Sequence, residues 1–395
     1  MHAAGIIAEY NPFHNGHAYH IEETKRLTGC DCIIAVMNGS FSQRGEPMLL
    51  DKFTRAHMAV AGGCDIVVEL PACFGPRPAE IFASGGVKLL DAMNCVECIS
   101  FGCETEDIDL LDKAVDLLTQ EPADFRQIMA EGLGRGESFA RARGNALIAC
   151  LGADGRKLLE PNASLAIEYM RALRCIHSPI KPAVIGRTVP HNSGEIGRYS
   201  SASAVREAVY SRDLQAVKKA VPNRVYELLT ENEGAVTELD ALDTAVLYAL
   251  RRMDANDLRA LPDVTEGLEN RLLKASCRYG TRQDILMACK CKRYSYTRLS
   301  RILIHALLGN TQRSLDRLCE PSYISVLSVK KGSEKYLSEL AGHAKLPVIT
   351  NPVGITGMPG LELDIRSADI RAVLSKKAGY RISGSDYANH LVFQP

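Results

Sequence analysis

The chain has 395 residues, 46% hydrophobic and 24% charged, with 47 basic and 47 acidic side chains and therefore no net charge. That length suits two domains better than one core, and the composition is that of a globular protein. No apolar run approaches the roughly 20 residues that span a bilayer, and no secretory signal is read at the N-terminus. Zero net charge gives no bulk attraction for nucleic acid, so an RNA partner needs a local basic patch. A cytoplasmic protein without membrane contact is expected.

Short apolar runs alternate with helical patterns through the first half. Strands are expected over 3–8, 32–37, 66–70 and 96–101, with helices over 15–27, 51–61 and 79–93 between them. This rhythm predicts a parallel sheet covered by helices on both faces, an α/β fold. Helices over 107–118, 138–150 and 162–173 follow, and a strand over 183–186 is expected to rejoin the sheet. From about residue 213 helical patterns dominate, most clearly over 239–253 and 297–308. Stretches 322–329 and 347–350 read as short strands. A domain boundary is placed near residue 215.

The 13 cysteines are scattered, many in apolar stretches, as reduced buried thiols would be. Cys95 and Cys98 form a C-x-x-C near Cys103, but no second ligand pair has the spacing of a zinc site.

The most informative string is Gly5-Ile6-Ile7-Ala8-Glu9-Tyr10-Asn11-Pro12-Phe13-His14-Asn15-Gly16-His17. A strand ends, a proline turn follows, and H-x-G-H opens a helix. Open parallel sheets bind ligands beyond the carboxyl ends of their strands, and unbonded N–H groups at a helix N-terminus favour phosphate. Gly16 admits a nucleotide close to the backbone. His14 and His17 share a helix face and can donate to phosphate oxygens as charge develops. The plainer alternative, surface histidines in a turn, is disfavoured by their place after the first strand.

A second string, Ser200-Ser201-Ala202-Ser203-Ala204-Val205-Arg206, enters another helical pattern. Its serines can cap the helix or bind phosphate, with Arg206 one turn in. Alone it is an ordinary cap; paired with H-x-G-H it becomes a candidate site. Loop 39–47 follows the second strand at the same sheet edge, and either is a plain turn or turns Ser40, Gln43 or Arg44 toward substrate. Lys52 and Arg55 read as the solvated face of the next helix. Residues 290–301 hold Lys292, Arg293, Arg298 and Arg301, interleaved with Tyr294 and Tyr296 and with no acid. That mix suits RNA phosphates and unstacked bases, or a solvated helix face.

H-x-G-H after the first strand with a distant S-S-x-[ST]-x-[IV]-R resembles the HIGH-motif nucleotidyltransferase superfamily. The longer E-Y-N-P-F-H-N-G-H is similar to the bacterial tRNA(Met) cytidine acetate ligases. Further matches are Gly39-Ser40-Phe41-Ser42-Gln43-Arg44-Gly45-Glu46-Pro47, Asp65-Ile66-Val67-Val68-Glu69-Leu70-Pro71, Ser100-Phe101-Gly102-Cys103-Glu104, Pro161-Asn162 and Ile167-Glu168-Tyr169. Beyond about residue 210 the likeness thins to Lys292-Arg293-Tyr294 and the stretch 298–309. Departures are small: Tyr199 and Ser203 replace a usual Ile and Thr, and Arg187 directly follows Gly186.

The resemblance implies a Rossmann-like, ATP-binding nucleotidyltransferase domain over 1–215 and a mainly helical tRNA-recognition domain over 216–395. It implies that acetate attacks the α-phosphate of ATP, giving acetyl-adenylate and pyrophosphate. The wobble cytidine of elongator tRNA(Met) then takes the acetyl group on N4. His14, His17, Ser201 and Arg206 would be catalytic. ATP would lie along Ile7, Glu9, Tyr10, Asn11, Pro12, Phe13, His14, Gly16, His17 and His20, touching Gly102, Asn162 and Arg187. Read plainly, Asn162 is a helix cap and Arg187 a surface arginine. Lys292, Arg293, Tyr294, Arg298 and Arg301 would meet RNA. Mg²⁺ is expected on the ATP, with few protein ligands. The alternatives are a small-molecule adenylyltransferase, against which the long second domain counts, and a non-catalytic nucleotide- or RNA-binding protein.

Overall fold

The structure is a computed structural model that describes residues 1–186, 200–389 and 393–394. Strands β1 (Ala3–Ala8), β2 (Cys32–Asn38), β3 (Ile66–Leu70), β4 (Val96–Cys103) and β5 (Lys181–Gly186) form a parallel sheet in the order β5-β4-β1-β2-β3. These are the strands expected from the sequence. β1, β2 and β3 are almost wholly buried, as strands covered on both faces must be. Successive residues feed opposite cores. Ile7, Ile34 and Val68 pack with helices Ala79–Met93, Ile108–Gln120 and Pro161–Cys175. Ile6, Ile33 and Val67 pack with helices Asn15–Thr28, Lys52–Ala61, Ala202–Tyr210 and Asn223–Glu231.

Helices then dominate. Leu242, Leu272, Ile285 and Ile302 build a third core within 239–308, joined by Phe41 from the loop after β2. The chain afterwards returns to the sheet. β6 (Ile324–Lys330) pairs antiparallel with β3, and β7 (Val348–Ile349) and β8 (Phe393–Gln394) pair with β6. The two short strands expected over 322–329 and 347–350 are therefore present. The sheet draws on both sides of the boundary expected near residue 215, and the stretch with its own helical core is 239–308.

Lys52 and Arg55 do not form a solvated face. They are 1% and 0% exposed, because their helix is covered by the sheet on one side and by Asn223–Glu231 and the C-terminal segment on others. Lys52 pairs with Glu69 at 2.7 Å and with Asp386. Arg55 donates to the carbonyl oxygens of Leu50, Glu9, Asn38 and Gly39, and burial lowers its pKa to about 10. It thereby fastens the carboxyl ends of β1 and β2 to each other.

All 13 cysteines are unbridged; seven are buried and five exposed. Among the described residues, no helix is long and apolar enough to cross a membrane.

Candidate active site

The carboxyl ends of β1, β4 and β5 open into a cavity of about 280 Å³ that the loop after β2 and the start of helix Ala202–Tyr210 complete. Beyond β1 the backbone turns through a left-handed Tyr10 (φ 45°) and a cis Asn11–Pro12 peptide into helix Asn15–Thr28. Tyr10 and Phe13 are buried, with ring centroids 4.9 Å apart, and pin the turn beneath the cavity. Pro12 is likewise buried.

His14 is the N-cap of that helix. Its Nδ1 accepts the Gly16 N–H at 3.1 Å, and the His14 N–H is accepted by Nδ1 of His17 at 3.2 Å. A capping box normally uses Ser or Thr with Glu; here two imidazoles serve. The rings stack at 3.6 Å with 24° between their planes. Because each Nδ1 accepts a backbone proton, each neutral ring carries its own proton on Nε2, a tautomer assigned from the hydrogen bonds. A Cβ on residue 16 would sit 2.9 Å from Cε1 of His14, so Gly16 also lets the His14 ring fold back over its own turn.

Ser201 caps the second helix by accepting the Ala204 N–H at 3.2 Å, and bonds Ser203 Oγ at 2.9 Å. Arg206 reaches the histidine turn, donating from Nη1 to the Asn11 carbonyl oxygen at 2.8 Å, with Glu46 3.6 Å from Nη2. Asn11 in turn accepts the Leu49 N–H on its side chain at 2.7 Å.

Of the other expected nucleotide contacts, Ile7, Glu9, His20, Gly102 and Asn162 line the cavity. His20 bonds Ser100 on β4 at 3.0 Å. Asn162 is not the cap of its helix. It donates to Glu104 Oε1 at 2.5 Å, while Glu104 Oε2 accepts the Ala163 N–H at 2.9 Å. Glu104, quoted from the sequence without a role, is the group that satisfies this helix start. Arg187 lies outside the described residues. Tyr169 closes the cavity against Phe101, and its phenol is pushed up first by burial and then by the Glu9 carboxylate.

Gln43 and Arg44 also line the cavity, whereas Ser40 is 3% exposed and does not. The loop is held by Gln43 N–H to Glu9 Oε1 at 2.7 Å, Gln43 Nε2 to the Arg77 carbonyl at 2.9 Å and Ser300 Oγ to the Gly45 carbonyl at 2.5 Å. Gly45 has φ 79°, and a Cβ there would lie 2.3 Å from the Arg301 nitrogen. The loop thus seats directly on helix Tyr296–Leu308.

The basic stretch is divided by the structure. Lys292 and Arg293 are exposed, Arg293 paired with Glu266. Tyr294 is corrected: it is 5% exposed, with its hydroxyl donated to the Thr265 carbonyl at 2.8 Å, so its ring offers no face to a base. Arg301 is corrected as well, being 8% exposed beside Asp263 under the loop. Arg298 covers the Tyr294 ring at 5.0 Å and donates to the Asp263 carbonyl. Among the described residues no group of three His, Cys, Asp or Glu side chains could hold a metal ion.

A parallel sheet with a histidine-capped helix at the carboxyl end of β1, and a Ser-Arg helix closing over it, defines a nucleotidyltransferase. The profile of the HIGH Nucleotidyl Transferase family matches residues 1–386. The tRNA(Met) cytidine acetate ligase of Caldanaerobacter subterraneus subsp. tengcongensis is 39% identical over 358 residues, 89% of this chain and 88% of that protein. The one from Thermoanaerobacter sp. strain X514 is 37% identical over 403 residues, 99% and 100% of the two chains. The crystal structure of Thermotoga maritima TmcAL bound with alpha-thio ATP matches with a TM-score of 0.92 at 30% identity, covering all of both chains. The apo form of that protein matches with a TM-score of 0.94 at 29% identity, again over both whole chains. The chain belongs to the HIGH nucleotidyltransferases and, among them, to the tRNA(Met) cytidine acetate ligase family.

Proposed function

We propose that the chain activates acetate with ATP as acetyl-adenylate and transfers the acetyl group to N4 of the wobble cytidine of elongator tRNA(Met). The observation that carries the reading is the stacked pair His14 and His17, whose Nδ1 atoms both accept backbone N–H groups, an arrangement that favours Nε2 as the donor, at a helix N-terminus that lines the cavity. Two such donors, with the helix dipole, stabilise the charge that builds on the α-phosphate as acetate displaces pyrophosphate. Arg206, Ser201 and Arg44 complete the phosphate side. The nucleoside takes the β4 and β5 flank, at Gly102 and Asn162, with Arg187 next in sequence to β5. Activation is needed because acetate is a poor acyl donor and the cytidine amine a weak nucleophile. The mixed anhydride is labile, and buried walls such as Phe101 and Tyr169 shield it from water.

Magnesium, in this reading, arrives on the triphosphate and keeps few protein ligands. RNA recognition falls to the helical part of 216–395, with Lys292 and Arg293 as its exposed cations, and a cytoplasmic setting goes with that substrate. The test is incubation with ATP, labelled acetate and tRNA(Met), followed by digestion to nucleosides. Label in N4-acetylcytidine supports the reading; label absent from RNA, or equally present with other tRNAs, contradicts it.

A further inference from the structure

Glu9 is the one acid among the described residues lining a cavity that also gathers His14, His17, Arg44 and Arg206. A carboxylate there repels both a triphosphate and acetate, so it works against the ground-state binding of the ligands the site collects. It is nonetheless held firmly. Arg55 Nη1 donates to its carbonyl oxygen at 2.7 Å. Its Oε1 accepts the Gln43 N–H at 2.7 Å and lies 3.5 Å from Nδ2 of Asn38. Both contacts use Oε1, and Oε2 accepts no hydrogen bond from any described residue.

The sheet order gives this carboxylate a side. β4 and β5 flank β1 on the nucleoside side, and β2 with its loop flanks it on the other. Glu9 is bonded through Oε1 to the β2 loop, and is therefore held on the flank of the cavity away from β4 and β5. The histidines cannot serve as bases there. Each Nδ1 already accepts a backbone N–H, which in a neutral ring leaves the proton on Nε2.

We propose that Glu9 is the general base of the acetyl-transfer step, an inference that rests on the acetyl-adenylate reading above. The cytidine amine attacks the acyl carbon through its nitrogen lone pair, forming the N–C bond. The bond from that carbon to the adenylate oxygen breaks, and its electron pair leaves with AMP. One proton of the amine passes to Oε2 of Glu9 and then to solvent. A cytidine amine is a feeble base, but once bonded to the acyl carbon its nitrogen is strongly acidic, so a carboxylate suffices as acceptor. The electrostatic cost of an acid in an anion site is thereby tied to a step that acetate activation does not include.

The test separates the two half-reactions in Glu9→Gln, using the full chain. Acetate-dependent ATP–pyrophosphate exchange reads activation, and also reports that the variant is folded. Transfer from synthetic acetyl-adenylate to tRNA(Met), in a single turnover, reads the second step. Transfer is expected to fall by about 10²–10⁴-fold, the usual worth of a general base, and by at least about tenfold more than exchange, which also feels Glu9 as part of the cavity wall. Glu9→Asp should recover part of the transfer. Equal losses in both steps would assign the carboxylate to the nucleotide or its magnesium and overturn the proposal, as would unimpaired transfer. A wild-type chain lacking acetate-dependent exchange would instead overturn the function on which the proposal rests.

Discussion

Arg206 Nη1 donates to the carbonyl oxygen of Asn11 at 2.8 Å, joining two positions 195 residues apart in the chain. The bond docks the Ser-Arg helix onto the turn that presents His14 and His17. One side chain therefore shapes the turn that carries the proposed phosphate site and also lines the cavity. Arg206→Lys keeps a charge but not the planar fork, and Arg206→Ala removes both. Pyrophosphate release from ATP and acetate should fall by about tenfold or more in the alanine variant, through lost positioning of the turn. The melting temperature should fall only modestly, by the loss of about one charge-assisted hydrogen bond. A large drop in melting temperature with normal turnover would show Arg206 to be only a brace.

His14→Ala and His17→Ala should each lower pyrophosphate release by tens- to thousands-fold, about 2–4 kcal/mol of transition-state stabilisation. Each also loses one half of the capping box, at a cost of about 1 kcal/mol in stability. Denaturant titration beside the kinetics separates the two effects. Near-normal turnover in both variants would remove the histidines from the chemistry.

Lys52→Met should be among the most damaging changes outside the cavity. It leaves Glu69 and Asp386 buried without their cation, and breaking such a pair costs about 3–5 kcal/mol. Adding Glu69→Gln should recover part of the loss, because burial already raises the Glu69 pKa and disfavours its charged form. Urea unfolding of the single and double variants checks this; a neutral Lys52→Met would contradict the buried network.

The fate of Lys52 shows where sequence reading stops. A lysine beside Phe53, near the start of a helix, looks like any solvated face, and its partners lie on β3 and near the C-terminus. Nothing local marks that distant cover, nor the antiparallel return of β6 to β3. β1 to β5 were legible because runs buried on both faces are continuous and apolar, whatever surrounds them. H-x-G-H was legible for the same reason: the cap, the glycine and both imidazoles lie within four residues. The role of Glu104 at the Ala163 N–H was not, since it depends on two elements meeting in space. Tyr294 failed similarly, since its hydroxyl is taken up by the Thr265 carbonyl, 29 residues away in the chain.

Removing Lys292 and Arg293 together should weaken tRNA binding and flatten its salt dependence, by roughly one unit of log–log slope for each phosphate that is no longer neutralised. Tyr294→Phe should instead cost about 1 kcal/mol of stability, by losing one buried hydrogen bond, and leave the salt dependence intact. Filter binding across a salt series, with melting curves, checks both. Unchanged slope in the double variant would place the RNA surface elsewhere.

Acetate-dependent exchange of labelled pyrophosphate into ATP, without RNA, bears most directly on the claim that this cavity makes acetyl-adenylate. Exchange should appear with acetate, drop by about 1–3 kcal/mol in specificity for each added methylene that fits poorly, and fall by tens- to thousands-fold in His14→Ala. Exchange that proceeds equally without acetate or with butyrate, or RNA acetylation that runs on acetyl-CoA with no ATP, would contradict it.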